Sequence, residues 1–167
     1  MSIRLLPVAL VVGLLAHGVS VGAQPLRVPA SDAAATALDR YVATPDPAYR
    51  WQVVATRQEG PLVVTTIEMT SQTWRAQGEV DRTEWKHYLT VLRPEQVESD
   101  TSLLFIGGGA NDRTALPKTD GMLAALATRT KTIVTELRMV PNQPLTFFND
   151  GVARKEDDLI AYGWRRF

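Results

Sequence analysis

Cysteine is absent from this chain, and histidine is scarce, with two residues among 167. Without cysteine the chain forms neither disulfides nor thiolate metal sites, and it has no cysteine nucleophile. Two histidines leave little scope for a histidine-based metal site. We therefore predict no bound metal and no cofactor, and we expect the stability of the fold to come from core packing alone.

An excess of charge of one sign is also lacking. Lysine plus arginine and aspartate plus glutamate each total 18, so no global field recruits nucleic acid or an anionic membrane. The basic pair Arg165 and Arg166 is too small to change this. The composition, with 45% hydrophobic and 22% charged residues, is ordinary for one folded domain. We predict no nucleic-acid partner.

Residues 1–23 have the composition of a secretory signal peptide. Arg4 supplies a short positive region, the run from Leu5 to Leu15 is almost wholly apolar, and small residues end at Ala23. A membrane anchor is the alternative, but the run is interrupted by proline and glycine and is short for about 30 Å of hydrocarbon. We predict cleavage before Gln24, export to the periplasm or the medium, and no stable membrane anchor afterwards.

The first part of the mature sequence predicts a linker and then antiparallel strands. Residues 24–36 are rich in alanine and proline and predict the linker, whereas residues 37–167 predict one partial domain. A short helix is expected from about Ala33 to Val42. Runs of β-branched residues on either side of a glycine-proline turn at 57–61 predict a hairpin. The predicted strands are Trp51–Thr56, Leu62–Thr70 and Trp85–Leu92.

The second part of the domain alternates strands and helices. The continuous apolar run Leu103–Ile106 is typical of a strand buried on both faces of a parallel sheet. Thr119 or Asp120 is placed to cap a helix, and a strand over Lys131–Val140 follows. A last helix should begin near Lys155, with acidic residues in its first turn and arginines near its end. The expected apolar stripe of the earlier helix is Met122, Leu123, Leu126 and Ala127.

This order of elements predicts the fold class. Antiparallel strands that lead into β-α-β-α are typical of the N-terminal part of an α/β-hydrolase-like sheet. In that fold one more strand follows and carries the nucleophile on a sharp turn. The sequence Gly-x-Ser-x-Gly that forms this turn does not occur in the chain. We therefore predict a truncated hydrolase-like domain with no catalytic residue of its own and no activity when isolated.

Three consecutive glycines directly after the Leu103 strand are the most informative feature. Glycine presents backbone N–H groups to a ligand without a side chain in the way, as an oxyanion-binding loop requires. The alternative is a flexible strand-to-helix turn, and Asn111 either orients the loop or belongs to a solvated turn. Nucleotide-binding loops are disfavoured because Gly-x-Gly-x-x-Gly is absent. The candidate oxyanion-loop residues are Gly107, Gly108, Gly109, Ala110 and Asn111.

His87 lies within a predicted strand and is expected to be a packed residue, not a catalytic one. A second class of function also remains open. Under this second hypothesis the chain is a non-catalytic secreted or periplasmic module that binds, or signals through, a small-molecule or peptide ligand. Its four tryptophans are candidates for a carbohydrate-stacking face or for core residues. A truncated sheet leaves Leu103–Ile106 and Ile133–Met139 with an uncovered edge and face, which predicts a marginally stable or self-associating chain. The reading frame beyond Phe167 distinguishes the two classes.

Five sequence blocks resemble a known family in their order along the chain. They are Asp39–Pro47, Glu84–Tyr88, Leu103–Asn111, Val140–Pro144 and Glu156–Tyr162. The family is that of the PhoPQ-activated pathogenicity-related proteins, to which a eukaryotic autocrine proliferation repressor is related. The resemblance implies an exported α/β-hydrolase-like protein of several hundred residues with an unsettled substrate. It implies no nucleophile, acid or base within this chain.

Overall fold

The computed structural model describes residues 35–167. The predicted signal peptide and most of the predicted linker lie outside these residues. The helices are α1 (Ala37–Ala43), α2 (Gly121–Thr130) and α3 (Glu156–Arg166). The strands are β1 (Arg50–Glu59), β2 (Leu62–Thr73), β3 (Glu84–Pro94), β4 (Leu103–Ile106) and β5 (Val134–Arg138).

All five strands form one mixed sheet in the order β1-β2-β3-β5-β4. The pairs β1–β2, β2–β3 and β3–β5 are antiparallel, whereas β4 and β5 are parallel. The chain therefore leaves β4 at the edge, crosses over through α2 and returns as β5 between β3 and β4. The prediction of a mixed α/β architecture that begins with antiparallel strands is confirmed.

The predicted hairpin is present, with longer strands and a tighter turn. The ladder extends to the pair Glu59 and Leu62, so only Gly60 and Pro61 connect the strands. Gly60 has a φ of +56°, a backbone conformation that glycine adopts without steric cost. The tight turn brings charged residues of the predicted loop into β1.

One face of the sheet is covered by α2. The side chain of Asp120 caps this helix by accepting hydrogen bonds from the N–H groups of Met122 and Leu123, as the sequence predicted. Only two residues of the predicted four-residue stripe are buried, because Met122 is 65% and Leu126 36% exposed. The core cluster beneath the helix consists of Leu62, Val64, Leu92, Leu123, Ala127 and Val134.

A second core cluster forms around Phe147, which is fully buried. Its ring lies 4.6 Å from that of Tyr162 in α3, and Leu159 is the buried residue of that helix. The predicted charge arrangement of α3 is present, with acidic residues in the first turn and arginines in the last. The cluster consists of Val80, Leu145, Phe147 and Leu159, flanked by Trp74, Trp85 and Tyr162.

The prediction that β4 is buried on both faces is wrong for the described residues. Its four side chains, Leu103 to Ile106, are 41 to 57% exposed. The physical reason is that β4 lies at the edge of the sheet, pairs with β5 alone, and has no described helix packed over either face. An apolar edge strand with free backbone groups is unusual in a stable monomer.

None of the helices in residues 35–167 is long and apolar enough to cross a membrane. The longest of them, α3, has 11 residues. Spanning a bilayer as a helix takes about 20 residues.

Candidate functional site

The glycine loop begins at the carboxyl end of β4 and stays attached to the chain beyond β5. The N–H of Gly107 donates to the carbonyl oxygen of Leu137 at 2.8 Å. In return the N–H groups of Met139 and Val140 donate to the carbonyl oxygens of Gly108 and Gly107 at 3.1 and 3.2 Å. These bonds tie the start of the loop to the segment that follows β5, so the loop leaves the sheet in a fixed direction.

Three successive N–H groups of this loop remain available. Within residues 35–167, those of Gly108, Gly109 and Ala110 donate to no protein acceptor. Gly109 has a φ of +131°, which side chains other than glycine rarely tolerate. Consecutive free backbone donors at a turn form a concave site suited to an anion. The loop is also accessible to solvent, since Gly108 is exposed and its neighbours are partly exposed.

Asn111 fastens the far end of the loop. Its backbone N–H donates to the carbonyl oxygen of Gln143 at 2.5 Å, and its side-chain Nδ2 donates to those of Asn142 and Pro144 at 3.2 and 3.0 Å. The side chain therefore orients the loop backbone instead of facing solvent in a turn. Its Oδ1 atom is buried and has no partner among the described residues.

Two carboxylates lie close to the glycines and shape their electrostatics. A Cβ built on Gly107 would lie 3.8 Å from Oε1 of Glu136, and one on Gly108 would lie 4.0 Å from Oε1 of Glu156. The buried Glu136 is paired with Arg138, whose Nε is 2.8 Å from Oε1. That pair is nearly neutral overall, whereas the exposed Glu156 opposes an anion on its own side of the loop.

A polar cleft of about 460 Å³ lies directly beside the loop. Its walls carry the basic side chains of Arg82, Lys86 and Arg113 and the acidic ones of Glu68 and Asp112. This volume fits a small molecule or a short peptide segment. Because basic groups outnumber acidic ones, the cleft offers more partners to an anionic ligand than to a cationic one.

A search with models of protein families matches residues 38–167 to the model described as "PhoPQ-activated pathogenicity-related protein". The chain belongs to this family. The match includes the whole sheet, the glycine loop and the last helix. The resemblance inferred from five short sequence blocks is therefore confirmed. It extends over nearly all of the residues that the structure describes.

The PhoPQ-related chain is also similar to a curated eukaryotic protein. It is 38% identical over 133 residues to autocrine proliferation repressor protein A from Dictyostelium discoideum. The aligned region covers 79% of this chain and 27% of that relative. The chain thus spans about a quarter of the relative's length. No solved structure matches the chain significantly.

The structure places His87 of this PhoPQ-related chain in a buried position, with 4% of its surface exposed. Its Nδ1 lies 3.2 Å from the carbonyl oxygen of Arg138, and its Nε2 lies 2.9 Å from the hydroxyl of Ser71. Sequence reasoning expected His87 to be packed but gave no role to Ser71. No spacing signal joins the two, because they meet only through the register of β2 and β3.

His87 should make the stability of the fold depend on pH in a narrow window. Burial lowers the pKa of His87 below its usual value, although its bond to the Arg138 carbonyl opposes this. The unfolded chain therefore binds a proton at higher pH than the folded one. The stabilisation is complete above about pH 6.5 and is lost as the pH falls towards the lower folded pKa. Urea unfolding between about pH 7 and about pH 5 measures the loss.

The variant His87→Asn is the control for this pH dependence. Its Nδ2 can still donate to the Arg138 carbonyl, but the side chain does not titrate. We expect a flatter dependence of the free energy of unfolding on pH in the variant. A slope equal to that of the unsubstituted protein would show that other groups cause the effect.

Proposed function

We propose that this PhoPQ-related chain forms the opening part of an exported α/β-hydrolase-like protein and supplies its oxyanion-binding loop. The observation that carries the proposal is the run of free N–H groups from Gly108 to Ala110 at the end of a parallel strand. Such a loop, between a strand and the following helix, contributes oxyanion donors in α/β-hydrolases. The role assigned to these residues is electrostatic, without proton transfer or covalent bonding.

The free edge of β4 supports the same proposal. A further parallel strand paired with this edge would end beside the glycine loop, because the carboxyl ends of parallel strands meet at one edge of a sheet. In α/β-hydrolases the strand after the crossover helices carries the nucleophile on a sharp turn. The exposure of Leu103 to Ile106 is consistent with a strand that pairs with a further strand in the whole protein.

No residue of this chain is proposed as nucleophile, acid or base for that reaction. The sequence Gly-x-Ser-x-Gly is absent, so the reactive groups would come from sequence outside these residues. Each oxyanion donor contributes about 3 kcal/mol to transition-state stabilisation in a complete enzyme. We also propose export to the periplasm or the medium, because residues 1–23 have the charge and apolar pattern of a signal peptide.

The first experiment assays the 167-residue chain alone with p-nitrophenyl acetate. Beyond any single equivalent of nitrophenol released at the start, we expect no turnover above the rate in buffer, since the donor loop has no nucleophile beside it. The second determines the reading frame beyond Phe167. A following strand with a glycine-flanked serine supports the proposal, whereas sustained serine-dependent turnover by the chain alone contradicts it.

Ala110→Pro tests the donor role in the whole protein that the reading frame encodes. Proline removes one backbone N–H from the loop without adding a charge. With p-nitrophenyl acetate as the probe, we expect kcat to fall about 10²- to 10³-fold. Ala110→Gly retains the N–H and is the matched control, and unfolding midpoints show whether both variants are folded. An unchanged kcat in a folded Ala110→Pro protein would rule out this donor.

A non-catalytic binding module is the second candidate, and one cavity favours it. Trp74, Trp85 and Trp164 converge with Phe167 on a largely apolar cavity of about 470 Å³. The tryptophan of β1, Trp51, does not line this cavity. Aromatic walls suit a flat, apolar ligand face such as that of a sugar ring. A stop directly after Phe167 and an independently folded product would favour this function over the hydrolase.

A further inference from the structure

We propose that Ser71 is an acyl-acceptor site activated by His87, separate from the glycine loop. The two side chains form a hydroxyl–imidazole pair with the atoms placed for proton transfer. Serine becomes nucleophilic when a neighbouring base within hydrogen-bond reach removes its proton. The proposal does not depend on the proposed hydrolase function, because neither residue is part of the glycine loop, although His87 also lines the polar cleft beside it.

A β-bulge creates the pair. In the ladder between β2 and β3, Thr70 lies opposite Lys86 and Gln72 lies opposite Trp85, which leaves Ser71 as the extra residue. A bulge turns a side chain away from its regular direction and often does so next to functional sites. Here the hydroxyl oxygen of Ser71 comes to 2.9 Å from Nε2 of His87.

The surroundings of His87 determine which ring nitrogen acts as the base. The carbonyl oxygen of Arg138 can only accept a hydrogen bond, so Nδ1, 3.2 Å away, carries the proton. Nε2 of the neutral ring then has a free lone pair and accepts the hydrogen of the Ser71 hydroxyl. The carbonyl oxygen of Trp85 is a more distant alternative acceptor for that hydroxyl, at 3.5 Å. Burial of the ring also favours its neutral, basic form.

A cavity gives a reactant room beside the serine. Ser71 lines an open cavity of about 510 Å³ between the end of β2 and the segment that follows α1. Tyr41, Val42 and Pro45 contribute apolar surface to the same cavity. The substrate class that fits is an ester with a small apolar acyl group.

The reaction is a single acyl transfer. The Ser71 oxygen forms a bond to the carbonyl carbon of the ester while its proton passes to Nε2 of His87. The bond from that carbon to the leaving oxygen then breaks, and the imidazolium returns the proton to the released alcohol. The products are an acyl-serine ester at Ser71 and one free alcohol, with His87 neutral again.

The test uses p-nitrophenyl acetate on the purified protein, with acetylated serines located by peptide mass spectrometry. We expect Ser71 to take up one acetyl group per chain, while the exposed Ser102 is acetylated much more slowly. Ser71→Ala should abolish the initial release of one equivalent of nitrophenol. His87→Asn retains the Nδ1-side bond but lacks the base, so it should slow acetylation of Ser71 by about 10²-fold or more.

Equal acetylation of Ser71 and Ser102 in the unsubstituted protein would overturn the proposal, whether or not the variants fold. An unchanged rate in a folded His87→Asn protein would overturn it as well. The result is separable from the glycine-loop proposal. The two proposals are measured separately, the acetylation of Ser71 by peptide mass spectrometry on the 167-residue chain and the donor loop by the steady-state kcat of the whole protein.

Discussion

Replacing Phe147 with alanine should lower the free energy of unfolding by about 3–5 kcal/mol. Phe147 is fully buried, and its ring contacts Tyr162 of α3 at a centroid distance of 4.6 Å and Trp74 at 6.2 Å. The substitution removes the apolar surface of the ring and leaves a cavity that the neighbouring rings can fill only in part. Urea unfolding, followed by tryptophan fluorescence, gives the change in free energy.

Phe148→Ala is the matched control for that substitution. The ring of Phe148 is 40% exposed, and its centroid lies 6.4 Å from that of Phe167 in a tilted arrangement. Truncating it should cost about 1 kcal/mol or less, as for most partly exposed side chains. Similar losses for the two variants would show that the aromatic cluster is not a core of this fold.

Replacing Leu104 with lysine should weaken self-association without unfolding the protein. The side chain of Leu104 is 53% exposed on the edge strand β4, where a second copy can pair with the free backbone groups. Burying a leucine at an interface contributes about 1.5–3 kcal/mol, so the dissociation constant should rise about tenfold or more. Sedimentation velocity over a range of concentrations measures it.

Val152→Lys is the control for the edge substitution. Val152 is 52% exposed but lies outside the sheet, so the same charge change there should leave association unaltered. The free energy of unfolding should change by about 0.5 kcal/mol or less in both variants. A strictly monomeric unsubstituted protein, or an equal effect of both lysines, would contradict association through β4.

The features that the sequence predicted well are local ones. The glycine-proline turn of the first hairpin, the Asp120 cap of α2 and the charged ends of α3 each depend on residues within a few positions of one another. Turn chemistry and capping operate at that range. The oxyanion role of the glycine loop stays a prediction.

The features that the sequence did not predict depend on which strands become neighbours. An apolar run such as Leu103–Ile106 looks the same whether it lies at the centre or at the edge of a sheet, and only the order of strands decides its burial. The contact of Ser71 with His87 arises from a shift of register by one residue between β2 and β3. Neither the neighbours of a strand nor a bulge can be read from hydrophobic alternation.

The bond from Asn111 to Gln143 has a mechanical consequence. Gln143 is buried and its side-chain oxygen accepts a hydrogen bond from the N–H of Glu156, the first residue of α3. The glycine turn, the segment after β5 and the start of that helix are thus linked in series through one glutamine. A displacement of any one of the three would strain its hydrogen bonds to the others. The fold therefore orients the free amides of the glycine loop before a ligand binds.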